Sequence, residues 1–316
     1  MSDADREAQK DPEFAQLKAR GKSPNSVRVL NTWIAAAARE LSVDHARLAW
    51  LVASTVVIAC LQRVVDAQGR SIFLLKGGTY LQHRLNVQGR ATKDVDGLVR
   101  GDIDDFLAQL DEVLKLPWGT LTLTRVNLEI INAPTRMVKP RRFDIVVELK
   151  GTTWRRIQVE VAADEGGAGD EHEELTSPQL EHFGIDTPEA LFGIALRYQT
   201  AQKLHACSDP HDPPNEVNDR ARDLADLVLL HSQIAIEGVP SRMQLREACE
   251  ALFEARAQDA IALGRVPRTW PCTVAIHPHW QADYDRAAAD AGVSHTITEA
   301  RDLVNRWITE ISAAER

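Results

Sequence analysis

The sequence is short of aromatic residues, of cysteine and of long apolar runs, and it carries no excess of positive charge. Aromatics make up 5% of the 316 residues, so a core has to come mainly from aliphatic helices and strands. The four cysteines, Cys60, Cys207, Cys249 and Cys272, form no C-x-x-C pair. That spacing argues against a dithiol redox centre and fits free, mostly buried thiols in a reducing compartment. The most apolar stretch, residues 48–61, is about 14 residues long, short of the ~20 that a membrane-spanning helix needs. It reads as a buried helix. The polar, acidic N-terminus does not have the pattern of a signal peptide, so a cytoplasmic protein without a membrane partner is expected. A net charge of −9 argues against wholesale coating of nucleic acid, which needs a cationic surface, but leaves room for a local basic patch.

What is present is an ordinary globular balance, 44% hydrophobic and 26% charged, over a length that suits one large or two medium domains. Residues 1–22 are charged and aperiodic and read as a flexible tail. Capping residues at 23–26 open a helix through 38, and 42–44 open the helix that carries the apolar run. Residues 71–75 read as a short buried strand, 79–85 as a short helix and 92–99 as a returning strand. Residues 102–116 are amphipathic at helical spacing. From 120 to 161 the period changes to two, with Lys150-Gly151 as the turn of a hairpin. The acidic, glycine-rich segment 163–175 reads as a solvated loop. After 188 nearly everything has helical period except two proline-containing loops, 208–219 and 263–278. The expected organisation is a tail (1–22), a mixed core with preceding helices (23–176) and a mainly helical C-terminal domain (177–316).

The chemistry-bearing pattern begins at Asp94-Val95-Asp96. On a strand, residues two apart share a face, so the two carboxylates stand side by side while Val95 faces the core. Like charges that close are costly unless compensated, and a hard divalent cation compensates them. Such a pair suits metal-assisted nucleotidyl transfer, and a solvated strand end is the bland alternative. Upstream, Lys76-Gly77-Gly78-Thr79 joins a strand to a helix start. Paired glycines let backbone N–H groups approach a phosphate, a helix N-terminus favours anions, and Thr79 offers a hydroxyl.

The order Lys76-Gly77-Gly78-Thr79, a short helix with Arg84, then Thr92-Lys93-Asp94-Val95-Asp96 resembles the AbiEii/AbiGii nucleotidyltransferase toxins, including the MenT-like members. Two later segments add to the resemblance: the helix around Lys203, and Arg222-Asp223-Leu224-Ala225-Asp226, similar to the family's R-D-x-x-D helix. The resemblance implies an α+β fold with a polymerase-β-like nucleotidyltransferase core, a mixed sheet with flanking helices, and a helical C-terminal part. It implies Mg²⁺ as cofactor and an NTP as substrate. In MenT-like members the acceptor is the tRNA 3′ end. As the toxin of a two-gene pair, the chain would have an antitoxin encoded separately. Carried over by motif, Lys76, Gly77, Gly78 and Thr79 would contact phosphate, Asp94 and Asp96 would hold the metal, and Lys203 would neutralise the triphosphate. One of Asp223 and Asp226 would contact the acceptor or orient Lys203.

A third metal carboxylate is expected on a neighbouring strand, at Glu160 first and Asp144 second. The resemblance favours Asp at that position where this chain has Glu. Arg136, Lys139, Arg141, Arg142, Arg155 and Arg156 could form one positive face for RNA, or a sheet rim of edge-protecting charges. Other readings are nucleotide transfer to a protein hydroxyl, a metal-dependent nuclease using Glu148, Lys150 and Asp144, and a degenerate nucleotide-binding protein. Cys272, His277 and His279 match no structural zinc pattern, and Trp270 and Trp280 read as packing residues.

Overall fold

The computed structural model describes Phe14, residues 17–84 and residues 92–315. Most of the tail expected at 1–22 therefore lies outside the described residues. Phe14 itself is buried, 6.4 Å from the Phe183 ring in an edge-to-face contact.

The described chain divides into two compact units that interleave in sequence. Besides its main C-terminal part from Ile194 onward, unit 2 takes in Ala133–Met137 and Asp164–Glu171. The sequence suggests one soft boundary, at 176/177.

Unit 1 opens with helices α1 (Val27–Glu40) and α2 (His45–Leu61). Ser26 and Asp44 start them by accepting hydrogen bonds from the Val29 and Arg47 backbone N–H groups, which satisfies first-turn donors. Helix α1 buries only the stripe Leu30, Ile34, Ala37 and Ala38. Helix α2 is buried on every side from Leu51 to Leu61, as the apolar run predicts. No single described helix is long and apolar enough to cross a membrane.

The sheet has seven strands in the order β3-β4-β5-β2-β1-β7-β6. They are β1 (Phe73–Lys76), β2 (Asp94–Val99), β3 (Leu121–Ile130), β4 (Arg141–Leu149), β5 (Thr152–Ala163), β6 (Glu173–Leu175) and β7 (Leu191–Gly193). β2 pairs parallel with β5 and β1 parallel with β7, and the other pairings are antiparallel, so the sheet is mixed. Helix α3 (Gly77–Arg84) follows β1 without a break, and α4 (Ile103–Val113) is capped by Asp102. The β4–β5 hairpin turns at Lys150 and Gly151, both at positive φ (51° and 75°), the backbone of a two-residue type I′ turn. On the apolar face, Phe143, Ile145, Val147, Ile157, Val159 and Val161 are fully buried and alternate with polar residues.

Unit 2 is helical: α5 (Leu196–Cys207), α6 (Ala221–Glu237), α7 (Arg242–Ala262), α8 (Gln281–Ala291) and α9 (Ile297–Ser312). Helix α5 packs against both α6 and α7. All four cysteines are free thiols.

Three expectations need correction. β6 and β7 replace what reads as loop and helix; at three residues each they are too short to show a period. The segment at 163–175 is not a plain solvated loop. Ala168 is fully buried, and Glu165 takes a two-point clasp from Arg256 (2.7 and 3.1 Å) and an ion pair from Arg136. Gly166, at φ 62°, passes so close to the α7 backbone at Ala251 and Leu252 that a Cβ there would overlap it.

The six basic residues do not form one open positive face either. Arg141 and Arg142 are neighbours on a strand and point to opposite faces, as do Arg155 and Arg156. Four of the six are paired with acids: Arg136 with Glu165, Arg141 with Asp104, Arg142 with Glu160, and Arg156 with Asp144.

Candidate active site

Within unit 1, the strand register builds a polar row across the sheet. Lys76 of β1 is opposite Asp96 of β2, Asp96 opposite Glu160 of β5, and Glu160 opposite Arg142 of β4. One step along, Asp94, Gln158 and Asp144 make a second row. Directly paired residues share a face, so these side chains line one side of the sheet. Asp94 and Asp96 are half-buried there, with Val95 fully buried behind them.

Two features hold the carboxylate pair. Gly77 stands at φ 70°, and a Cβ on it would overlap the Asp96 carboxylate. Glycine is required at this turn both for its backbone conformation and for the close approach of Asp96. The second feature is a pair of hydroxyls on Asp94. Thr92 Oγ1 donates to Asp94 Oδ1 at 2.9 Å, and Thr79 Oγ1 donates to the Asp94 backbone carbonyl. Thr79 is fully buried, and Gly78 is buried beside it. Thr79 is thus already committed to fixing the start of β2, which corrects the expectation that it contacts phosphate. Thr92 was not among the expected site residues, although a hydroxyl two positions before an Asp is a local hydrogen-bonding pattern visible in sequence.

The third-carboxylate candidates are both engaged. Glu160 Oε1 accepts from Arg142 Nε (2.7 Å) and lies 2.6 Å from Nη2. Asp144 Oδ2 accepts from Asn127 (2.8 Å) and Arg156 (3.1 Å). Among the described residues no three His, Cys, Asp or Glu side chains converge as a metal cage. Asp94 and Asp96 by themselves fit a divalent cation. They present hard oxygen donors on one face, in a cradle that a Cβ at residue 77 would fill. Glu160, as arranged, does not complete the set. The nuclease arrangement does not assemble, because Lys150 sits in the exposed hairpin turn and Asp144 is tied to Arg156.

Within unit 2, Lys203 of α5 donates to Asp223 Oδ1 and Asp226 Oδ2 of α6, both at 2.7 Å. The two acids are three residues apart and so lie on one helix face. Lys203 is 6% exposed and Asp226 is fully buried. The Asp223 side chain is 17% exposed, and its other oxygen is 3.7 Å from Arg220. Burial alone would lower the Lys203 pKa, but the two carboxylates more than offset it and hold the ammonium above the ordinary lysine range. Two residues on, His205 Nδ1 lies 2.7 Å from both Arg256 and Arg268. Burial and these guanidinium groups hold its imidazole neutral, well below the usual histidine range. The pairing of Lys203 with the acids of α6 matches the expectation that one of them orients it, while the His205–Arg256–Arg268 part was not foreseen, since its members come from three distant stretches of sequence. Trp280 is buried and donates to the Asn218 carbonyl, a packing residue as its sequence context suggests.

Comparison with known proteins agrees with this architecture. The solved structure of MenT4, a nucleotidyltransferase toxin from Mycobacterium tuberculosis H37Rv, is similar in fold, with a TM-score of 0.50 and 17% identity. The match covers 91% of this chain and 98% of that one. No curated protein matches the chain in sequence. The family described as nucleotidyl transferase AbiEii toxin, type IV TA system, matches residues 59–305, a span that includes Gly77, Asp94, Asp96, Lys203, Asp223 and Asp226. With more than half its length matched, the chain belongs to the AbiEii nucleotidyltransferase toxins of type IV toxin–antitoxin systems.

Proposed function

We propose that this nucleotidyltransferase moves a nucleotide from an NTP to the 3′ end of tRNA, with Mg²⁺ held by Asp94 and Asp96. The observation that carries the reading is the fit of the Asp96 carboxylate against Gly77 at the start of α3, with Asp94 fixed beside it. A bound Mg²⁺ would supply charge neutralisation at the reacting phosphate and help ionise the attacking hydroxyl. The chain's own residues do the rest. Gly77 lets the phosphates come close to the helix N-terminus, whose backbone N–H groups favour anions. Thr79 and Thr92 keep Asp94 aligned. The family resemblance gives Lys203 the role of neutralising the triphosphate, and within its own unit buried Asp226 anchors it. Asp223 is the more exposed of the two acids that pair with Lys203. The hydroxyl oxygen attacks the α-phosphorus, its proton leaves, and pyrophosphate departs. Family membership implies a nucleotide substrate and a cognate antitoxin.

The test is incubation of purified protein with each α-labelled NTP, Mg²⁺ and deacylated tRNA. Labelled, lengthened tRNA is the expected product. Label on protein alone would move the acceptor to a protein hydroxyl, and no label with any NTP would overturn the reading.

The role of Thr79 is separable by kinetics. Thr79→Ser should stay within about threefold of wild type, whereas Thr79→Val should lower kcat at least about tenfold with the KM for NTP unchanged. A rise in KM alone would return Thr79 to phosphate contact.

A further inference from the structure

The carboxylate that a third metal ligand would require is next to Asp96 in register, yet its Oε1 is turned to an arginine. Arg142 places both Nε and Nη2 on that one oxygen, and Gln158 Nε2 adds a long contact to it (3.5 Å). Oε2 of Glu160 has no partner among the described residues, and neither has Nη1 of Arg142. The pair is accessible, with side-chain exposures of 41% for Arg142 and 26% for Glu160. Ion pairs this exposed are weak and exchange readily. Arg142 also feels Asp94: its pKa is raised by the Glu160 hydrogen bond and charge first, then by Glu129 and Asp94.

From this geometry we infer that Arg142 and Glu160 form an exchange latch. In the resting chain Arg142 screens Glu160 and keeps it off the Asp94–Asp96 pair. When a divalent cation and NTP arrive together, Glu160 swings to the cation and completes a three-carboxylate set. The guanidinium it releases turns to the triphosphate, for which a planar fork of donors is suited. Arg142 is then a substrate-binding residue of the site, and Glu160 is a ligand available only when the substrate's negative charge replaces it at Arg142. The inference rests on the metal site proposed above.

The test measures Mn²⁺ binding by the disappearance of free-ion EPR signal, and separately the KM for NTP. Arg142→Gln should tighten Mn²⁺ binding without NTP by about threefold to tenfold, because Glu160 loses its competing partner. The same variant should raise the KM for NTP about tenfold or more, for loss of a charged hydrogen bond to phosphate. Glu160→Gln should leave Mn²⁺ binding without NTP close to wild type, weaken it about threefold or more in the presence of a non-hydrolysable NTP analogue, and leave the KM for NTP unchanged or lower. It carries the test by itself if Arg142→Gln folds poorly. Arg142→Gln with unchanged or weaker Mn²⁺ binding without NTP, or Glu160→Gln with unchanged Mn²⁺ binding in the presence of the NTP analogue, overturns the latch. Asp94→Asn is the control. If it binds Mn²⁺ as wild type does, the metal site itself is misplaced; if it loses Mn²⁺ while the other two variants match wild type, only the latch fails.

Discussion

Asparagine in place of Asp94 or Asp96 should abolish nucleotide transfer, and at position 94 it should leave the fold as stable as before, or slightly more so. The two carboxylates stand on one strand face, two residues apart, and repel each other when no cation lies between them. Asparagine keeps the shape and removes one charge. At position 94 it can still accept the Thr92 hydroxyl bond, so β2 has no reason to shift. What disappears is the charge that holds the metal. A metal's neutralisation of transition-state charge is worth several kcal/mol, or about 10³-fold in rate. Single-turnover transfer of label and a thermal melt on each variant check the two halves of the expectation. Asp144→Asn is the contrast: engaged with Arg156 and Asn127, it should transfer at nearly the wild-type rate. Asp94→Asn retaining a tenth of wild-type activity would remove Asp94 from the metal site.

The largest effect on stability is expected from Lys203→Met. The substitution leaves Asp226, fully buried, without the cation that faces it. Breaking a buried pair from one side costs about 3–5 kcal/mol, since the remaining charge keeps its desolvation penalty and loses this partner. Lys203→Met combined with Asp226→Leu should recover most of that loss, because apolar replacement of a whole buried pair is often near neutral. Denaturant unfolding of the single and double variants decides it; a double variant no more stable than Lys203→Met would show that the pair is not the origin. The pH dependence has a definite sign. The Lys203 pKa is higher in the folded chain than in the unfolded one. Its stabilisation is therefore full below about pH 10 and is lost as the pH rises through the folded value. While Asp226 is ionised in both proteins, the advantage of wild type over Lys203→Met should shrink as the pH rises above that point.

The features that sequence shows well are local. Ser26, Asp44 and Asp102 cap helices where they stand, the Lys150-Gly151 turn is written in two residues, and the period-two stretch becomes three long strands. Asp94 and Asp96 are legible because strand geometry alone puts them on one face. The features that were misread depend on partners far along the chain. Thr79 has the look of a phosphate donor until its hydroxyl is seen on the carbonyl of Asp94, fifteen residues on. Glu165 has the composition of a solvated loop, and only Arg136 and Arg256 make it a buried clasp. Glu160 is placed correctly beside Asp96 by pattern, but the arginine that occupies it arrives from β4 by register, which no spacing within β5 encodes.

That clasp bears on when unit 2 can be completed during synthesis. Glu165 and Arg256 are 91 residues apart. A ribosome adds about 5–20 residues per second, so Glu165 waits roughly 5–20 s for the residue that completes its clasp. Lys203 needs only 23 more residues to reach Asp226. The lysine pair can therefore form while the segment carrying Glu165 is still unsecured, and unit 2 is finished only near the end of synthesis. Truncation before residue 256 should yield a protein that has both acids of β2 but not the completed helical unit.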